Sequence, residues 1–523
     1  MPHCQRLPQN VTSSAPGKVF ADILKTPALQ FLARRLEKGG ALSFSGVTAA
    51  AQPLLAVLLQ NILPKRPVVI VTENLKTQES VQQDLETWRQ VAGRAAPPNS
   101  IPATDAGVYF YPAWEILPQE GRLPHADVIS ERLQTLVTLS SPAAVPAPLI
   151  VTSVTALLQK TFNPDDLKRR MRGLHRGDPL APLDLIEFLE AQGYEPEAQV
   201  SQKGEIALRG GIVDIFPPTS PWPVRLEFFG DELESLRIFD PLTQISREEI
   251  TGIVLPPAGE LGILKQNEAG KSQGKPALAT LLDYLPVNTI FVLCEPELLA
   301  SHAENYGQQN PPNDPFFISW PDFLADLNHF GLASLALSED IEPAEADAPK
   351  ELTGPRFDSL EAFRPLAERA PEPQIAEAQR REFFQQLHRW LRQDYAVHVF
   401  CNNDGERQRF EEIWKELGLG PGTPSQSQDA PAKTSSAPLI HIGSLARGFV
   451  CDQARFVVVT DAEIFGSYKV LRPRKLKSPH ALAARSALDI DFTDLEEGDL
   501  VVHLQHGIGR YRGLKNLPVT TAK

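Results

Sequence analysis

Short apolar runs alternate with longer amphipathic stretches along most of the chain, and this alternation predicts strands and helices in turn. It is clear in residues 17–160, where a continuous apolar run at 149–152 predicts a buried strand. It resumes in residues 255–337 and again in residues 375–466. Alternating strands and helices are typical of a parallel sheet with helices on both faces, so these segments are expected to form doubly wound α/β units.

A different pattern interrupts this alternation within residues 161–254. Residues 209–240 read as three short strands in succession, which predicts a small β-rich domain. Gly210 and Gly211 are placed in the first strand, and the proline-rich stretch 217–221 forms a rigid connection to the second.

Side chains alternate between the two faces of the second of these strands, residues 224–229. One face, expected to be the core, carries Val224, Leu226 and Phe228. The other face carries Arg225, Glu227 and Phe229. An outward aromatic ring beside arginine is typical of a protein-binding anchor, and a solvated face with one isolated phenylalanine fits the pattern equally well.

Composition and charge describe a soluble multidomain protein. At 523 residues the chain exceeds a single core, and its 42% hydrophobic and 22% charged residues are ordinary for a globular protein. The 47 prolines are about twice the average share and favour several units joined by linkers. A formal net charge of −14 excludes a surface built throughout to bind phosphates, so DNA contact is expected only from a local patch or a missing region.

The cysteines lack the paired spacing of a metal site; they are Cys4, Cys294, Cys401 and Cys451. They are expected to be free thiols in a reducing cytoplasm. No signal-like segment begins the chain and no apolar run approaches ~18 residues, so no membrane association is expected. The sequence predicts a cytoplasmic protein without a metal site.

The stretch that begins at Gly46 has the spacing of a nucleotide-binding loop, G-x-x-x-x-G-K-[ST] between a strand and a helix, without its chemistry. Ala51 replaces the second glycine, Gln52 replaces the phosphate-binding lysine, and Pro53 replaces the hydroxyl residue that binds Mg²⁺. Pro53 also lacks a backbone N–H. Tight ATP binding is therefore not expected, and no cofactor is predicted for this chain.

The β-rich segment carries a family resemblance. The runs R-G-G-I-V-D-I-F-P from Arg209, R-L-E-F-F from Arg225 and L-R-I-F-D-P-L-T from Leu236 resemble the UvrB interaction module shared by bacterial UvrB and the transcription-repair coupling factor. In that family this domain docks on UvrA, the damage-sensing ATPase of nucleotide excision repair. The resemblance implies that Arg209, Arg225 and Phe229 are the UvrA contacts.

Two further features resemble the coupling factor more than UvrB. UvrB has an intact nucleotide loop that begins G-V-T, whereas the N-terminal module of the coupling factor has lost it. UvrB also has a tyrosine-rich hairpin after the equivalent of Pro112, where this chain has W-E-I-L-P from Trp114 and I-S-E-R-L from Ile129. The alternative of a UvrB-type DNA-damage ATPase would require both missing features.

The end of the chain, G-D-L-V-V-H-L-Q-H-G-I-G-R-Y-R-G-L within residues 492–523, resembles the start of the RNA-polymerase-interacting domain shared by the coupling factor and CarD-type regulators. That domain is a small SH3/Tudor-like β-barrel. The motif residues are His503, His506, Gly507, Gly509, Arg510 and Tyr511. The two histidines are interpreted as structural, because no cysteine or carboxylate cluster lies near them.

About thirty residues of this barrel are present, fewer than the ~40 with which an unstapled domain folds. The chain is therefore expected to be a fragment whose polymerase contact is not competent. A stand-alone CarD-type polymerase-binding regulator is the further alternative.

Together the patterns and the resemblance predict an α/β multidomain chain: a degenerate P-loop-type α/β domain interrupted by a small β-rich UvrA-docking domain, a further α/β domain, and the start of a barrel. The expected segments are 17–160, 161–254, 255–337, a linker at 338–374, 375–466, a basic linker at 467–491, and 492–523. The basic run 472–477 fits either a phosphate contact or a solvated linker.

The function that the resemblance implies is transcription-coupled nucleotide excision repair. The chain would be a scaffold that recruits UvrA where RNA polymerase has stalled at a lesion. In the full-length family, an ATP-driven DNA translocase displaces the polymerase, and ATP, Mg²⁺ and most DNA contacts belong to those missing motor domains. The chain alone is not expected to be an enzyme.

Overall fold

The computed structural model describes residues 20–93, 107–140, 147–269, 278–340, 356–363, 373–417, 437–465, 500–503, 507–510 and 512. The expected positions His506, Tyr511 and the basic run 472–477 lie outside these described residues.

Residues 20–170 alternate strands with helices, as the apolar pattern predicted. Their elements in chain order are α1 (Ala21–Leu24), α2 (Pro27–Glu37), β1 (Ala41–Ser45), α3 (Gln52–Ile62), β2 (Val68–Thr72), α4 (Leu75–Val91), β3 (Val108–Tyr111), α5 (Ala126–Ser140), β4 (Leu149–Ser153), α6 (Val154–Leu158) and α7 (Pro164–Arg170).

The next elements belong to a β-rich module. They are β5 (Arg172–His175), α8 (Pro182–Ala191), β6 (Glu195–Pro196), β7 (Glu205–Arg209), β8 (Ile212–Ile215), β9 (Val224–Phe229), β10 (Glu232–Phe239), β11 (Ser246–Glu249) and β12 (Gly252–Leu255).

The α/β alternation then resumes. The elements up to residue 340 are α9 (Leu261–Ala269), β13 (Ile290–Cys294), α10 (Pro296–Gln309), α11 (Trp320–His329) and β14 (Ala333–Ser338). Those that follow are β15 (Asp358–Ser359), α12 (Pro373–Arg392), β16 (Ala396–Cys401), α13 (Asp404–Glu416), β17 (Leu439–Ile442), β18 (Phe449–Cys451), β19 (Phe456–Val459), α14 (Asp461–Phe465), β20 (Leu500–His503) and β21 (Gly507–Arg510).

A parallel six-stranded sheet, ordered β1-β14-β13-β2-β4-β3, joins strands from both sides of the module in the sequence. Its central strand β2 is buried throughout because helices cover both faces. Val68 and Ile70 pack in the core beneath α3 and α4, whereas Val69 and Val71 pack in the opposite core with α5 and α10. A strand covered on both faces reads as a continuous apolar run, which is why the sequence pattern located it.

The module contains a second six-stranded sheet, ordered β11-β10-β9-β8-β7-β6 and antiparallel except between β6 and β7. Its strands β5 and β12 form a separate antiparallel pair. Helix α8 covers one face with Leu185 and Leu189. The assignment of Gly210 and Gly211 to a strand was wrong, because they form the turn between β7 and β8. Gly210 has a φ of 62°, and a Cβ on Gly211 would lie 2.9 Å from the Phe228 carbonyl oxygen, so the turn requires glycine.

The third unit contains the sheet β15-β18-β19-β16-β17, in which β16 pairs in parallel with both β17 and β19. It packs directly on α4, where Trp88 meets Phe400 edge to face with 5.1 Å between ring centroids. Helix α13 is capped by Asn403, whose side-chain oxygen accepts the Glu406 N–H at 3.0 Å.

The last described elements, β20 and β21, form an antiparallel hairpin. His503 pairs with Gly507 at its closed end, and Gly509 and Arg510 lie on the second strand opposite Val501 and Leu500. The described part of the chain has no helix that is both long and apolar enough to cross a lipid bilayer.

Candidate protein-docking site

A buried carboxylate organises the outward face of the module sheet. The register of β8 and β9 places Asp214 directly opposite Arg225, and Asp214 has no exposed side-chain surface. The Arg225 guanidinium donates two parallel hydrogen bonds to Asp214, at 2.7 Å from Nε and 2.9 Å from Nη2. Arg209, at the end of β7, donates a third from Nη2 at 2.6 Å. Two of the three predicted docking residues are therefore held by one acid.

Arg225 is fixed on its other sides as well. Its guanidinium lies over the Phe239 ring, 4.6 Å from the centroid, and Nη2 also donates to Gln244 Oε1 at 3.2 Å. Hydrogen bonding to Asp214 raises the pKa of Arg225 above its ordinary value. Its side chain is 18% exposed, so it presents a charged edge in one defined orientation. A planar, bidentate arrangement of this kind is specific to arginine and would be lost with lysine.

Phe229 ends β9 and is 79% exposed. It pairs with Glu232 across a tight turn in which Gly230 has a φ of 63°. The predicted alternation along β9 is confirmed, because Val224 and Leu226 are buried on the inner face while Phe229 projects outward. Phe228 is only partly buried at the edge of that core.

Part of the outward face is buried. A small second core lies on it, formed by Val200, Ala207, Phe216 and Phe239. Between this core and Phe229, Glu227 accepts a hydrogen bond from Ser235 at 2.6 Å and lies 3.6 Å from Arg237. The face therefore carries two hydrogen-bonded arginines and an exposed aromatic ring.

The motifs after Pro112 contribute to a buried hydrogen-bond network next to the module. Arg132, from I-S-E-R-L, forms a fully buried bidentate pair with Glu260, at 2.8 Å from Nε and 3.1 Å from Nη2. Trp114, from W-E-I-L-P, donates to the same carboxylate at 3.0 Å, and Thr161 donates at 2.7 Å. Glu260 follows the last module strand, so this network fastens the chain where it leaves the module.

The degenerate loop residues Gly46, Ala51, Gln52 and Pro53 lie together at the turn from β1 to α3. The Gln52 side chain, in the position of the phosphate-binding lysine, is buried and donates to Glu295 Oε1 at 2.7 Å and to the Val47 carbonyl at 3.2 Å. Burial raises the pKa of Glu295. Gln52 is thus engaged by neighbours within the protein.

Other groups of this loop are also engaged. Thr48 Oγ1 donates to Glu339 Oε1 at 3.1 Å, and the Ala49 N–H points to the same carboxylate at 3.5 Å. The Thr48 N–H donates to the Phe357 carbonyl at 3.1 Å. An incoming phosphate would meet carboxylates and an occupied amide here, where a functional loop offers free N–H groups and a lysine.

The acidic stretch after β19 is likewise used within the fold. Glu463 accepts hydrogen bonds from the Gly448 N–H at 3.0 Å and from the Thr460 N–H at 2.8 Å. A Cβ on Gly448 would lie 2.5 Å from the Val458 carbonyl oxygen, which explains the glycine at this position. Within the described residues, no group of three or more His, Cys, Asp or Glu side chains is placed to hold a metal ion.

Sequence reasoning missed Asp214, Gln244 and the second small core. Asp214 sits among apolar neighbours in I-V-D-I, and a charged residue in such a run is a signal of a buried partner. The identity of the partner depends on strand register, which the sequence alone did not reveal.

Comparison with known proteins finds two family models along the chain. UvrB interaction domain matches residues 173–261, and CarD-like/TRCF RID domain matches residues 495–523. The first of these covers the module strands and reaches Glu260.

Several curated relatives are named transcription-repair-coupling factor. The protein of Bacillus subtilis is 25% identical over 91% of this chain and 42% of its own length. The protein of Myxococcus xanthus is 26% identical over 96% of this chain and 44% of its own length. The protein of Escherichia coli is 27% identical over 79% of this chain and 38% of its own length. The chain thus spans less than half the length of these relatives, and the resemblance read from its motifs is confirmed.

Proposed function

From the similarity of this chain to the N-terminal part of transcription-repair coupling factors, we propose that it is a scaffold of transcription-coupled nucleotide excision repair. Its role is to recruit UvrA to lesions at which RNA polymerase has stalled. One observation carries the proposal: the segment similar to UvrB interaction domains presents an exposed Phe229 beside two arginines fixed on Asp214.

The chemistry of this face suits a protein partner. Aromatic rings and arginines are the side chains that dominate binding energy at protein interfaces, and rigid groups lose little entropy on binding. Arg225 is held on several sides and Phe229 follows it on the same strand. The docking contacts are therefore Arg209, Arg225 and Phe229.

RNA polymerase is the second partner in this proposal. Residues 495–523 match the CarD-like/TRCF RID domain, and β20 and β21 supply a hairpin such as a small barrel begins with. Polymerase displacement, ATP, Mg²⁺ and most DNA contacts are assigned to motor domains beyond this chain. The protein is placed in the cytoplasm, where transcription and repair take place in bacteria.

The β1–α3 turn is a P-loop-type element that no longer takes a nucleotide, and no cofactor is assigned to the part of the chain that the structure describes. The buried Gln52 and the carboxylates of Glu295 and Glu339 at that turn support this assignment. The α/β domain then consists of segments 17–160 and 255–337, with the docking domain at 161–254 between them. A second α/β domain at 375–466 follows.

Direct binding of UvrA tests the proposal. We expect Phe229→Ala and Arg225→Ala each to weaken the affinity at least about thirtyfold, because central anchors contribute about 2 kcal/mol or more. The control is Phe330→Ala, which removes another exposed phenylalanine, one at the end of α11. Thermal melting of every variant separates lost contacts from lost folding.

Either of two results would overturn the proposal that this chain recruits UvrA. Wild-type affinity in both folded variants would remove the contacts from this face. Steady ATP hydrolysis by the purified chain would favour the UvrB-type alternative.

A further inference from the structure

Exposed apolar side chains concentrate in the β-rich module. Among the described residues, five large apolar side chains are more than 60% exposed: Leu183, Phe229, Leu242, Ile245 and Val287. All but Val287 lie between β5 and β12. Two of them, Leu242 at 92% and Ile245 at 67%, belong to the connection from β10 to β11, here called the 240–245 loop.

The 240–245 loop adjoins the candidate docking face directly. Gln244 in this loop accepts the hydrogen bond from Arg225 Nη2 at 3.2 Å, so the loop borders the guanidinium on the side away from Phe229. Phe239, which carries the Arg225 guanidinium on its ring, is the last residue before the loop.

Several hydrogen bonds close the 240–245 loop. Asp240 Oδ1 accepts from the Leu242 N–H at 2.9 Å and from the Thr243 N–H at 3.3 Å, while Arg247 donates to its Oδ2 at 2.8 Å. These hydrogen bonds, first that of Arg247, lower the pKa of Asp240. The Arg247 guanidinium in turn lies 3.8 Å from the centroid of the Trp222 ring.

A turn closed in this way presents its apolar tip in a fixed place. Gln244 completes it, donating its side-chain amide to the Pro241 carbonyl at 2.9 Å and its backbone N–H to the Asp240 carbonyl at 2.7 Å. A pre-ordered apolar tip loses little entropy when a partner covers it, which is a property of binding loops.

We propose that Leu242 and Ile245 form a second apolar anchor of the same docking site, so that UvrA covers a continuous band from Phe229 through Arg225 to the 240–245 loop. This inference rests on the proposed function. It adds residues and extent to the site, because the family resemblance supplied only Arg209, Arg225 and Phe229.

The size of the band fits a single partner. About 13 Å separates Arg225 from Phe229 along the extended strand, at about 3.3 Å per residue. A standard interface of about 800 Å² per partner is about 30 Å across. One partner that is centred on Arg225 therefore reaches both Phe229 and the loop that contacts Arg225 on its other side.

The test measures UvrA affinity for the full chain with Leu242→Ala, Ile245→Ala and both together. The double variant is expected to raise the Kd about tenfold or more, with an unchanged melting temperature because both side chains are exposed. The matched control is Leu183→Ala, an equally apolar exposed residue on α8, which covers the opposite face of the sheet. Its Kd is expected to remain that of the wild type.

A third variant, Gln244→Ala, tests the pre-ordering of the loop. It removes the contact with Arg225 and the hydrogen bond to Pro241 but leaves both apolar side chains in place. We expect faster dissociation of UvrA with little change in the association rate.

Phe229→Ala distinguishes a failure of the second anchor from a failure of the proposed docking function. A double loop variant that binds like the wild type, beside a weakened Phe229→Ala, would overturn the second anchor and leave the docking function standing. Absence of UvrA binding by the wild type, or full binding by Phe229→Ala, would instead remove the proposed function itself.

Discussion

Asp214 shows how a residue with no exposed side-chain surface can determine a surface. It accepts hydrogen bonds from both Arg209 and Arg225, and so helps to orient both side chains towards the solvent. The strand period predicted that Arg225 and Phe229 point outward. It could not predict Asp214 as their partner, because that pairing depends on the register between β8 and β9.

Replacement of Asp214 by asparagine tests this dependence. The substitution keeps the side-chain volume but removes the charge that holds two guanidinium groups, so Asp214→Asn is expected to lower the free energy of unfolding by about 1–3 kcal/mol. It is also expected to weaken UvrA binding, although Asp214 itself has no surface to contact a partner. Denaturant unfolding and a binding titration measure the two effects.

The control for this prediction is Asp184→Asn, which neutralises an exposed aspartate on α8. Unchanged UvrA affinity in Asp214→Asn would show that the arginines do not need the buried acid to bind.

The period of the apolar pattern located the strands and helices well, but it did not locate the turns between neighbouring strands. The run R-G-G-I-V-D was assigned to one strand, whereas Gly210 and Gly211 form the turn between two. The order of the strands was beyond the sequence, because β14 and β13 follow the module in the chain yet enter the sheet between β1 and β2, which precede it. Local patterns determine which segments are strands, and long-range packing determines their order.

Removing only one partner of the buried Arg132–Glu260 ion pair is expected to destabilise the fold strongly. Arg132→Met would leave the Glu260 carboxylate buried without its guanidinium partner, and we expect a loss of about 3–5 kcal/mol in the free energy of unfolding. The double variant Arg132→Met with Glu260→Leu should lose less free energy of unfolding than Arg132→Met alone, since no unpaired charge remains. Urea unfolding of both variants checks the order, and a double variant that is less stable than the single one would contradict it.

The contact between α4 and the third unit predicts a pH dependence. Asp84 on α4 accepts the Ala446 N–H at 2.9 Å, and burial raises the pKa of its carboxyl to about 8. The folded protein therefore holds the proton of Asp84 more tightly than the unfolded chain does. The contribution of the protonated Asp84 carboxyl to the free energy of unfolding is complete below the ordinary aspartate pKa of about 3.9, and it is lost as the pH rises towards 8.

Asp84→Asn should therefore lose less stability than the wild type between about pH 6 and about pH 8.5. Burial also raises the pKa of Asp461, to about 7, so part of the slope is expected to remain in the variant. Melting temperatures across this range measure the effect, with Asp184→Asn as the exposed control. Parallel curves for wild type and Asp84→Asn would show that Asp84 does not titrate as described.

At the scale of the whole molecule, motif order along the chain gave the sequence of units before any packing was known. It did not reveal that the first and third units share a core, in which Trp88 of α4 packs against Phe400 and Phe449. The docking face lies on the opposite side of the module sheet from α8 and is separate from that shared core. A docking face that is separate from the shared core of the α/β units suits the proposed scaffold role.

Photo-cross-linking from the docking face shows directly whether UvrA binds there. The full chain with Phe229→p-benzoylphenylalanine is irradiated with UvrA, beside the same probe introduced at Phe330. A UvrA adduct from position 229 but not from position 330 is the predicted result. Equal cross-linking from both positions, or none from position 229, would contradict the account.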